Sequence, residues 1–314
     1  MPSINQLPHL QTALTGPLLK LEKHILDNRT TIEAWFRKQF KNTPAPFYCS
    51  VDLRNAGYKL APVDTNLFPA GFNNLHPDLR SLAVHAAQNA VTQVCPVADG
   101  VLIIPENHTR NTFYFENLFA LQSILENAGY EVHIGSLNPD LNAPMLVELP
   151  SGNVLVLKPL IRDGNRVGVE NFFPCAVLLN NDLSSGRPEI LEGIEQTLLP
   201  PMELGWANRY KTEHFAHYSD VTKSFSELID IDQWLINPTS IPCGPINFKD
   251  RTGIEDLAQT VSQVIEETQN YYDTYNIKCK PFVIVKRYPS FNLNSSSFSL
   301  AYFITAFSSF PLGS

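Results

Sequence analysis

Several features common to other protein classes are missing from this sequence of 314 residues. No apolar run approaches the length of a membrane span, and the first residues, MPSINQLPHLQ, lack the apolar core of a signal peptide. Basic residues do not outnumber acidic ones, and the net charge of -8 argues against binding to nucleic acid or to anionic membranes. The five cysteines are scattered and show no C-x-x-C spacing, which is typical of free thiols in a reducing compartment. We therefore expect a cytoplasmic protein.

The composition that is present, 44% hydrophobic and 17% charged, is that of a globular protein. The clearest pattern is a buried strand, GVLIIP, then a helix over residues 113–128 that Gly129 stops, then a second strand, YEVHIG. Strand, helix and strand at this length predict a right-handed crossover with parallel strands, and so an α/β fold. LVELPSGNVLVLKPL predicts a hairpin that turns at SGN, and CAVLLNND predicts another apolar strand.

The rest of the chain is mostly helical by its periodicity. Residues 17–41 predict two helices or one long helix, with a break at 28–31, and Pro77 suits the first turn of a helix that ends near residue 94. FYCSVDL is a short predicted strand, followed by a long irregular segment rich in Asn, Gly and Pro. Residues 203–228 and 253–275 predict helices, and PFVIVK predicts the final strand.

Polar side chains follow three of the predicted strands. Ligands of open α/β sheets bind beyond the carboxyl ends of the strands, so we expect the three clusters to meet around one substrate. Asn and Asp are also common in turns, so each asparagine has a structural alternative. The clusters contain Asp52, Arg54, Asn55, Lys59, Asp64, Asn66, Asn73 and Asn74, then Glu106, Asn107 and Arg110, and finally Asn181 with its neighbours.

Three cations are the strongest candidates for ligand contacts. A guanidinium beside carboxylates and amides suits bidentate capture of a substrate carboxylate, which favours Arg54 and Arg110. Lys286 ends the apolar strand PFVIVK, and a buried lysine there needs a partner such as a phosphate oxygen. The alternative is that the strand ends at Lys286 and its ammonium faces water.

Histidines and cysteines offer weaker signals. His214 and His217 lie on one predicted helix, but no third ligand stands out, so we predict no metal site of this kind. A hydrolase that pairs Cys49 or Cys175 with His108 stays open as an alternative, although no feature supports it.

Four stretches of the chain resemble one known family. VDLRNAGYKLAPVDTNLFPAGFNNL, IPENHTRNTFY, LLNNDLSSG and KPFVIVK resemble the proteobacterial glutamate–cysteine ligases first described in iron-oxidising bacteria, and the resemblance spans residues 17–286. It implies an ATP-grasp-like ligase in which ATP phosphorylates the side-chain carboxylate of glutamate. The amino group of cysteine would then attack the acyl phosphate and form γ-glutamylcysteine, the first intermediate of glutathione synthesis. Mg²⁺ would neutralise the phosphates.

The resemblance also implies roles and an organisation. Two arginines would bind the glutamate carboxylates, one acid would receive the amino group, and three amides would orient the substrate. These residues are Arg54 and Arg110, then Asp52 or Asp64, then Asn66, Asn73 and Asn74, while Lys286 would contact the ATP phosphates. The implied organisation is a helical segment over residues 1–45, an α/β substrate-binding domain over 46–235 and the start of an ATP-grasp-like domain over 236–286.

Residues 287–314 depart from the family pattern. They contain a single glycine, Gly313, and no Asp or Glu, whereas the family continues with a glycine-rich loop over the phosphates and with magnesium-binding acids and amides. This aberrant Ser- and Phe-rich tail predicts a shifted reading frame or an early stop, and a chain with little or no ligase activity. A divergent but genuine terminus is the alternative. A second alternative function is a non-catalytic protein that retains the amino-acid pocket.

Overall fold

We describe the protein from a computed structural model over residues 17–43, 45–107, 111–205, 211–243, 251–288 and 301–308. Within these ranges, only the backbone is described for residues 211–212, 242–243, 282–288 and 301–308. The chain divides into two compact units. Of the described residues, unit 1 comprises 17–43, 51–64, 211–243, 251–288 and 301–308, and unit 2 comprises 45–50, 65–107 and 111–205.

Unit 2 is built on a six-stranded, mostly parallel sheet. The strands are β3 (Gly100–Pro105), β4 (Glu131–Ser136), β5 (Met145–Glu148), β6 (Val154–Pro159), β9 (Ala176–Asn180) and β10 (Thr197–Leu199). Their order in the sheet is β10-β9-β3-β4-β6-β5, and all neighbours are parallel except the edge pair β5 and β6. Helix α3 (Arg80–Val94) precedes β3, helix α4 (Thr112–Asn127) connects β3 to β4, and β7 (Ile161–Asp163) pairs with β8 (Arg166–Gly168).

The central strand β3 is buried along its whole length, because each face of the sheet carries an apolar layer. Val101 and Ile103 belong to the cluster that includes α4, while Leu102 and Ile104 belong to a second cluster on the other face. This alternation is the period-2 pattern of a strand covered on both sides. Helix α4 stops at Gly129, whose φ of 97° is a left-handed conformation that favours glycine.

Unit 1 combines helices with an antiparallel sheet. Its helices are α1 (Pro17–Asp27), α2 (Arg29–Asn42), α5 (Lys211–Ile229) and α6 (Arg251–Thr274). Strands β1 (Ser50–Asn55) and β2 (Leu60–Asn66) pair with each other, while β11 (Ser240–Cys243), β12 (Pro281–Tyr288) and β13 (Ala301–Ser308) form a sheet in the order β11-β13-β12. Tyr58, Trp234 and Tyr272 form a buried aromatic cluster. No helix in the described ranges has the length and apolar character needed to cross a membrane.

Most of the predicted elements are confirmed. The parallel β3-α4-β4 unit, the break between α1 and α2 at Asn28, and the hairpin that turns at Gly152 are all present. Three predictions of secondary structure are wrong. The segment predicted as irregular contains β2, the first strand covers residues 50–55 and not 47–53, and β12 continues past Lys286 to Tyr288.

The tail also contributes a strand. Residues 301–308 form β13, which pairs with β12 along its length, so that the backbone of Lys286 lies opposite Phe303. The backbone groups on the edge of β12 that faces β13 therefore have hydrogen-bonding partners in the backbone of the tail. The side chain of Lys286 lies outside the described residues, and its contact with a phosphate stays a prediction.

Candidate functional site

A cavity of about 1120 Å³ opens in unit 2 where the parallel strands β3, β4, β6 and β9 end. The carboxyl ends of parallel strands are the usual ligand-binding edge of such a sheet, and a cavity of this size suits a small molecule. Its polar lining includes carboxylates, amides, hydroxyls and two cations. These residues are Glu106, Asp182, Glu170 and Glu189, then Asn107, Asn138, Asn142 and Asn181, then Ser136, Ser184 and Ser185, and finally Lys158 and Arg187.

Three of the predicted site residues line this cavity. Glu106 and Asn107 follow β3, and Asn181 follows β9, the strand that neighbours β3 in the sheet. The structure therefore brings the second and third polar clusters together, as expected from the carboxyl-end rule. Arg110 and His108 come from the same loop as Glu106 and lie outside the described residues.

The other predicted asparagines of unit 2 make local contacts. Asn66 Oδ1 accepts a hydrogen bond from Phe68 N at 2.9 Å, which closes an Asx turn after β2. Asn73 and Asn74 lie in a short 3₁₀ helix and contact each other at 3.5 Å. None of the three lines the cavity. The contacts that they make in this structure are those of asparagines that stabilise their own loop, and a substrate role stays a prediction.

The remaining predicted residues belong to unit 1. Asp52, Arg54 and Asn55 lie exposed on β1, and Asp64 lies half-buried on β2. Asn55 Oδ1 accepts from Gly57 N at 2.8 Å and so stabilises the turn between the two strands. A substrate role for these four residues stays a prediction.

Lys59, also in unit 1, lies against the aromatic cluster. Its Nζ is 4.4 Å from the centroid of the Trp234 ring, a cation–π distance. Burial lowers the pKa of Lys59 to about 7, and the nearby Asp232 carboxylate opposes this shift. A lysine held in this way contributes to packing inside unit 1. The sequence assigned Lys59 to substrate binding, and that role stays a prediction.

The loop after β9 has a fixed backbone. Asn181 Oδ1 accepts from Leu183 N, and Asp182 Oδ1 accepts from Ser184 N, both at 2.9 Å. Leu183 has a φ of 56°, which is costly for a branched side chain, and is 1% exposed. It is held there by close packing, since a Cβ on Gly205 would lie 2.8 Å from the Leu183 Cβ. The loop therefore presents its polar residues to the cavity from a defined conformation.

A buried amide pair holds the sheet just behind the cavity. Asn180 ends β9 and is 2% exposed, and Asn117 on α4 is 1% exposed. Asn117 Nδ2 donates to Asn180 Oδ1 at 3.2 Å, and Asn180 Nδ2 donates to the Pro69 carbonyl at 2.7 Å. Asn117 Oδ1 accepts from Phe72 N at 3.0 Å. Buried amides that are satisfied in this way hold a single geometry.

Two tyrosines extend this network. The Tyr114 hydroxyl donates to the Asn180 carbonyl at 2.6 Å and accepts from Glu106 N at 2.9 Å, so one side chain bridges the ends of β3 and β9. The Tyr48 hydroxyl donates to the Leu179 carbonyl. Burial raises the pKa of both phenols above their ordinary value, so both remain neutral donors at physiological pH.

The sequence did not single out either cavity cation. Lys158 lies near the end of β6, and Arg187 follows β9 in the loop SSGR. Arg187 lies 3.8 Å from the Glu203 carboxylate. The signal that would have found both is their position, because each comes at or just after a strand whose parallel neighbours carry the predicted polar clusters.

Comparison with known proteins decides the family. A family model described as GshA, glutamate-cysteine ligase, matches residues 22–288. The chain belongs to this family. Among solved structures, it is similar to the crystal structure of a protein named "Putative gamma-glutamylcysteine synthetase" from Methylobacillus flagellatus KT, with 48% identity and a TM-score of 0.88. That match covers 96% of this chain and 77% of the other chain. No curated protein matches the sequence.

Membership in the glutamate–cysteine ligase family confirms the resemblance and identifies the chain as a ligase. The predicted α/β class is also confirmed, with a mostly parallel central sheet. The hydrolase alternative loses one of its two nucleophiles, because Cys175 forms a disulfide with Cys95. This bond contradicts the expectation that all the cysteines are free thiols. It also removes the support that the cysteines gave to a cytoplasmic location, which stays a prediction. Cys49 is free and exposed.

Membership in the glutamate–cysteine ligase family implies that ATP and Mg²⁺ take part in the reaction. Within the described part of the chain, no group of three or more His, Cys, Asp or Glu side chains is placed to hold a metal ion. Mg²⁺ is usually bound through one or two carboxylates together with substrate phosphates. Magnesium binding by this chain therefore stays a prediction.

Proposed function

We propose that the reaction served by this fold is the ATP-dependent ligation of the side-chain carboxylate of L-glutamate to the amino group of L-cysteine. The product is γ-glutamylcysteine, which begins glutathione biosynthesis. The expectation that this chain has little or no ligase activity, drawn from the composition of residues 287–314, stays a prediction beside it. The observation that carries the proposal is the unit 2 cavity: it joins carboxylates, amides and cations at the carboxyl ends of parallel strands, in a chain of the glutamate–cysteine ligase family.

The lining of the cavity matches the charges of glutamate. At neutral pH the substrate carries two carboxylates and one ammonium, so it needs cations for the first and acids for the second. Lys158 and Arg187 supply the cations, while Glu106 and Asp182 supply acids. The amides of Asn107 and Asn181 can donate to the carboxylates or accept from the ammonium.

The chemistry proceeds in two steps that balance. The side-chain carboxylate of glutamate attacks the γ-phosphorus of ATP, forming an acyl phosphate and releasing ADP. The amine of cysteine then attacks the acyl carbon, the C–O bond to phosphate breaks, and the amide forms with loss of a proton and of inorganic phosphate. The protein contributes mainly by orienting both substrates and by stabilising charge, as in other phosphoryl transfers.

The family resemblance supports further contacts. Arg54 and Arg110 would bind glutamate carboxylates, and Lys286, in an ATP-grasp-like domain, would contact the ATP phosphates. These assignments rest on the resemblance, as do those of Asp52 or Asp64 to the amino group and of Asn66, Asn73 and Asn74 to substrate orientation.

Calorimetry and a product assay on the full chain test the proposal together. L-Glutamate is titrated into the protein with and without Mg·ATP, and thiol products are separated after incubation with glutamate, cysteine and Mg·ATP. We expect glutamate binding, and we expect Glu106→Gln to weaken it about tenfold, because the ammonium loses a charged partner. Glu266→Gln, a change on the exposed face of α6, is the matched control.

The outcomes separate the competing functions. Nucleotide-dependent glutamate binding with γ-glutamylcysteine formation supports the ligase and contradicts the expectation of an inactive chain. Nucleotide-dependent binding without product supports the ligase reading together with that expectation. Glutamate binding that needs no nucleotide and gives no product identifies a non-catalytic amino-acid-binding protein. Failure to bind glutamate under either condition would refute the proposal.

A further inference from the structure

Lys158 is the one lysine in the sequence of residues 65–209, and it lines the unit 2 cavity. It lies on β6 opposite Gly135 of β4. A lysine that lies near the carboxyl end of a parallel strand and lines a cavity is a candidate ligand for an anion.

Two residues of β4 fix the Lys158 ammonium. Its Nζ lies 2.9 Å from His133 Nδ1, and His133 Nε2 lies 2.8 Å from Glu131 Oε1. An ammonium can only donate, so Nδ1 accepts and the ring proton sits on Nε2, which donates to the Glu131 carboxylate. His133 is 22% exposed, and its ring packs edge-on against Phe172 at 4.5 Å.

Among the residues that the structure describes, no carboxylate pairs directly with the Lys158 ammonium. Arg187, the other cation that lines the cavity, has the Glu203 carboxylate at 3.8 Å. Within the described residues, the polar partner of the Lys158 side chain is the neutral His133 ring, and the Glu131 carboxylate is reached only through that ring. Lysine has three N–H donors, so two remain for a ligand. A partly buried ammonium in this state gains most from a carboxylate that enters the cavity.

We propose that Lys158 binds a carboxylate of the amino-acid substrate, and that His133 and Glu131 are positioning residues that hold its ammonium in the cavity. The inference rests on the proposed function, because it takes the occupant of the cavity to be an amino acid. His133 accepts one N–H and so sets the direction of the other two. Glu131 fixes the tautomer of His133, which keeps Nδ1 available as the acceptor.

Calorimetry with three related probes tests the carboxylate contact in the full chain. The probes are L-glutamate, L-glutamine, which lacks the side-chain carboxylate, and 4-aminobutanoate, which lacks the α-carboxylate. We expect Lys158→Met to weaken glutamate binding about 10- to 100-fold, because a charged hydrogen bond is lost. For the probe that lacks the contacted carboxylate, wild type and variant should bind alike. Lys278→Met, on an exposed lysine of unit 1, is the matched control.

The positioning role needs variants that keep the shape of the ring. His133→Phe keeps a ring against Phe172 but removes the acceptor, so glutamate affinity should fall several-fold while the melting temperature stays near that of wild type. His133→Gln restores a carbonyl acceptor and should recover part of the affinity. Glu131→Gln should have a smaller effect in the same direction. A purely structural role of His133 would move the melting temperature and leave the affinity of the folded protein unchanged.

Each result has one reading. If wild type binds glutamate and Lys158→Met binds all three probes as wild type does, the Lys158 contact is refuted and the proposed function stands. If Lys158→Met weakens all three probes equally, the contact is not with a carboxylate and the inference is also refuted. If wild type does not bind glutamate, with or without Mg·ATP, the proposed function and this inference are both refuted.

Discussion

Replacing Lys59 with methionine should make the protein more stable at neutral pH. The Lys59 ammonium lies 4.4 Å from the centroid of the Trp234 ring, inside a cluster of aromatic side chains in unit 1. Burial lowers its pKa from 10.5 to about 7, and the Asp232 carboxylate restores only part of the loss. Methionine keeps the length of the side chain and its contact with the indole ring, and it carries no charge.

The pKa of Lys59 determines the sign and the size of the effect. Because the folded-state pKa lies below the unfolded-state value, stability is lost as the pH falls from 10.5 towards 7 and is lost no further below 7. At about 1.4 kcal/mol per pKa unit, the cost is about 4 kcal/mol at pH 7 and about 1 kcal/mol at pH 9.5. The cation–π contact favours the ammonium by about 1–2 kcal/mol, so a cost of about 3 kcal/mol remains at pH 7.

Urea unfolding followed by tryptophan fluorescence measures this cost, since Trp234 itself reports on the cluster. We expect Lys59→Met to raise the free energy of unfolding by about 3 kcal/mol at pH 7 and by about 1 kcal/mol at pH 9.5. The exposed Lys278→Met variant should match wild type at both pH values. A gain that does not change with pH, or a loss of stability, would refute the reasoning. Unchanged stability with lost glutamate binding would instead restore the substrate role that the sequence suggests.

Three other changes address the sheet of unit 2. Asn180→Ala removes the amide that bonds Asn117 and the Pro69 carbonyl, so urea unfolding should show a loss of about 2–4 kcal/mol, and a loss below about 0.5 kcal/mol would contradict the network. Gly135→Ala would place a Cβ 2.3 Å from Leu160 Cδ2 in the cavity wall, so urea unfolding should show about 1–3 kcal/mol of destabilisation. Wild-type stability of this variant would contradict the close packing at Gly135. Dithiothreitol should lower the unfolding free energy by about 2–4 kcal/mol, because the disulfide closes a loop of 80 residues. Mass spectrometry that finds both of its cysteines alkylated without reduction would disprove the bond.

Local patterns in the sequence were enough to predict the central architecture. GVLIIP, the periodic helix after it and the stop at Gly129 predicted the parallel unit of β3, α4 and β4, because each signal depends only on residues a few positions apart. The same holds for the hairpin at Gly152. Strand β2 was missed because Pro62, Asp64 and Asn66 give it the composition of a loop, and its partner β1 decided otherwise.

The cavity was predicted in part. Its location follows from the carboxyl-end rule, and Glu106, Asn107 and Asn181 were placed in it because turn polarity after buried strands can be read directly from the sequence. Asn66, Asn73 and Asn74 follow the same rule of composition, yet they do not line the cavity: Asn66 closes a turn, and Asn73 and Asn74 lie in a short 3₁₀ helix. Sequence polarity does not distinguish an amide that satisfies its own loop from one that faces a ligand.

The sequence by itself determined most of the strands and helices, and which family the chain resembles, because both follow from patterns along the chain. Only the tertiary structure decided which side chains meet. The parallel pairing of β4 with β6 brings His133 to Lys158 across 25 positions, and the packing of unit 1 places Lys59 on Trp234. Such contacts depend on strand register and on crossovers that bring distant residues together, and no property of either residue alone specifies its partner.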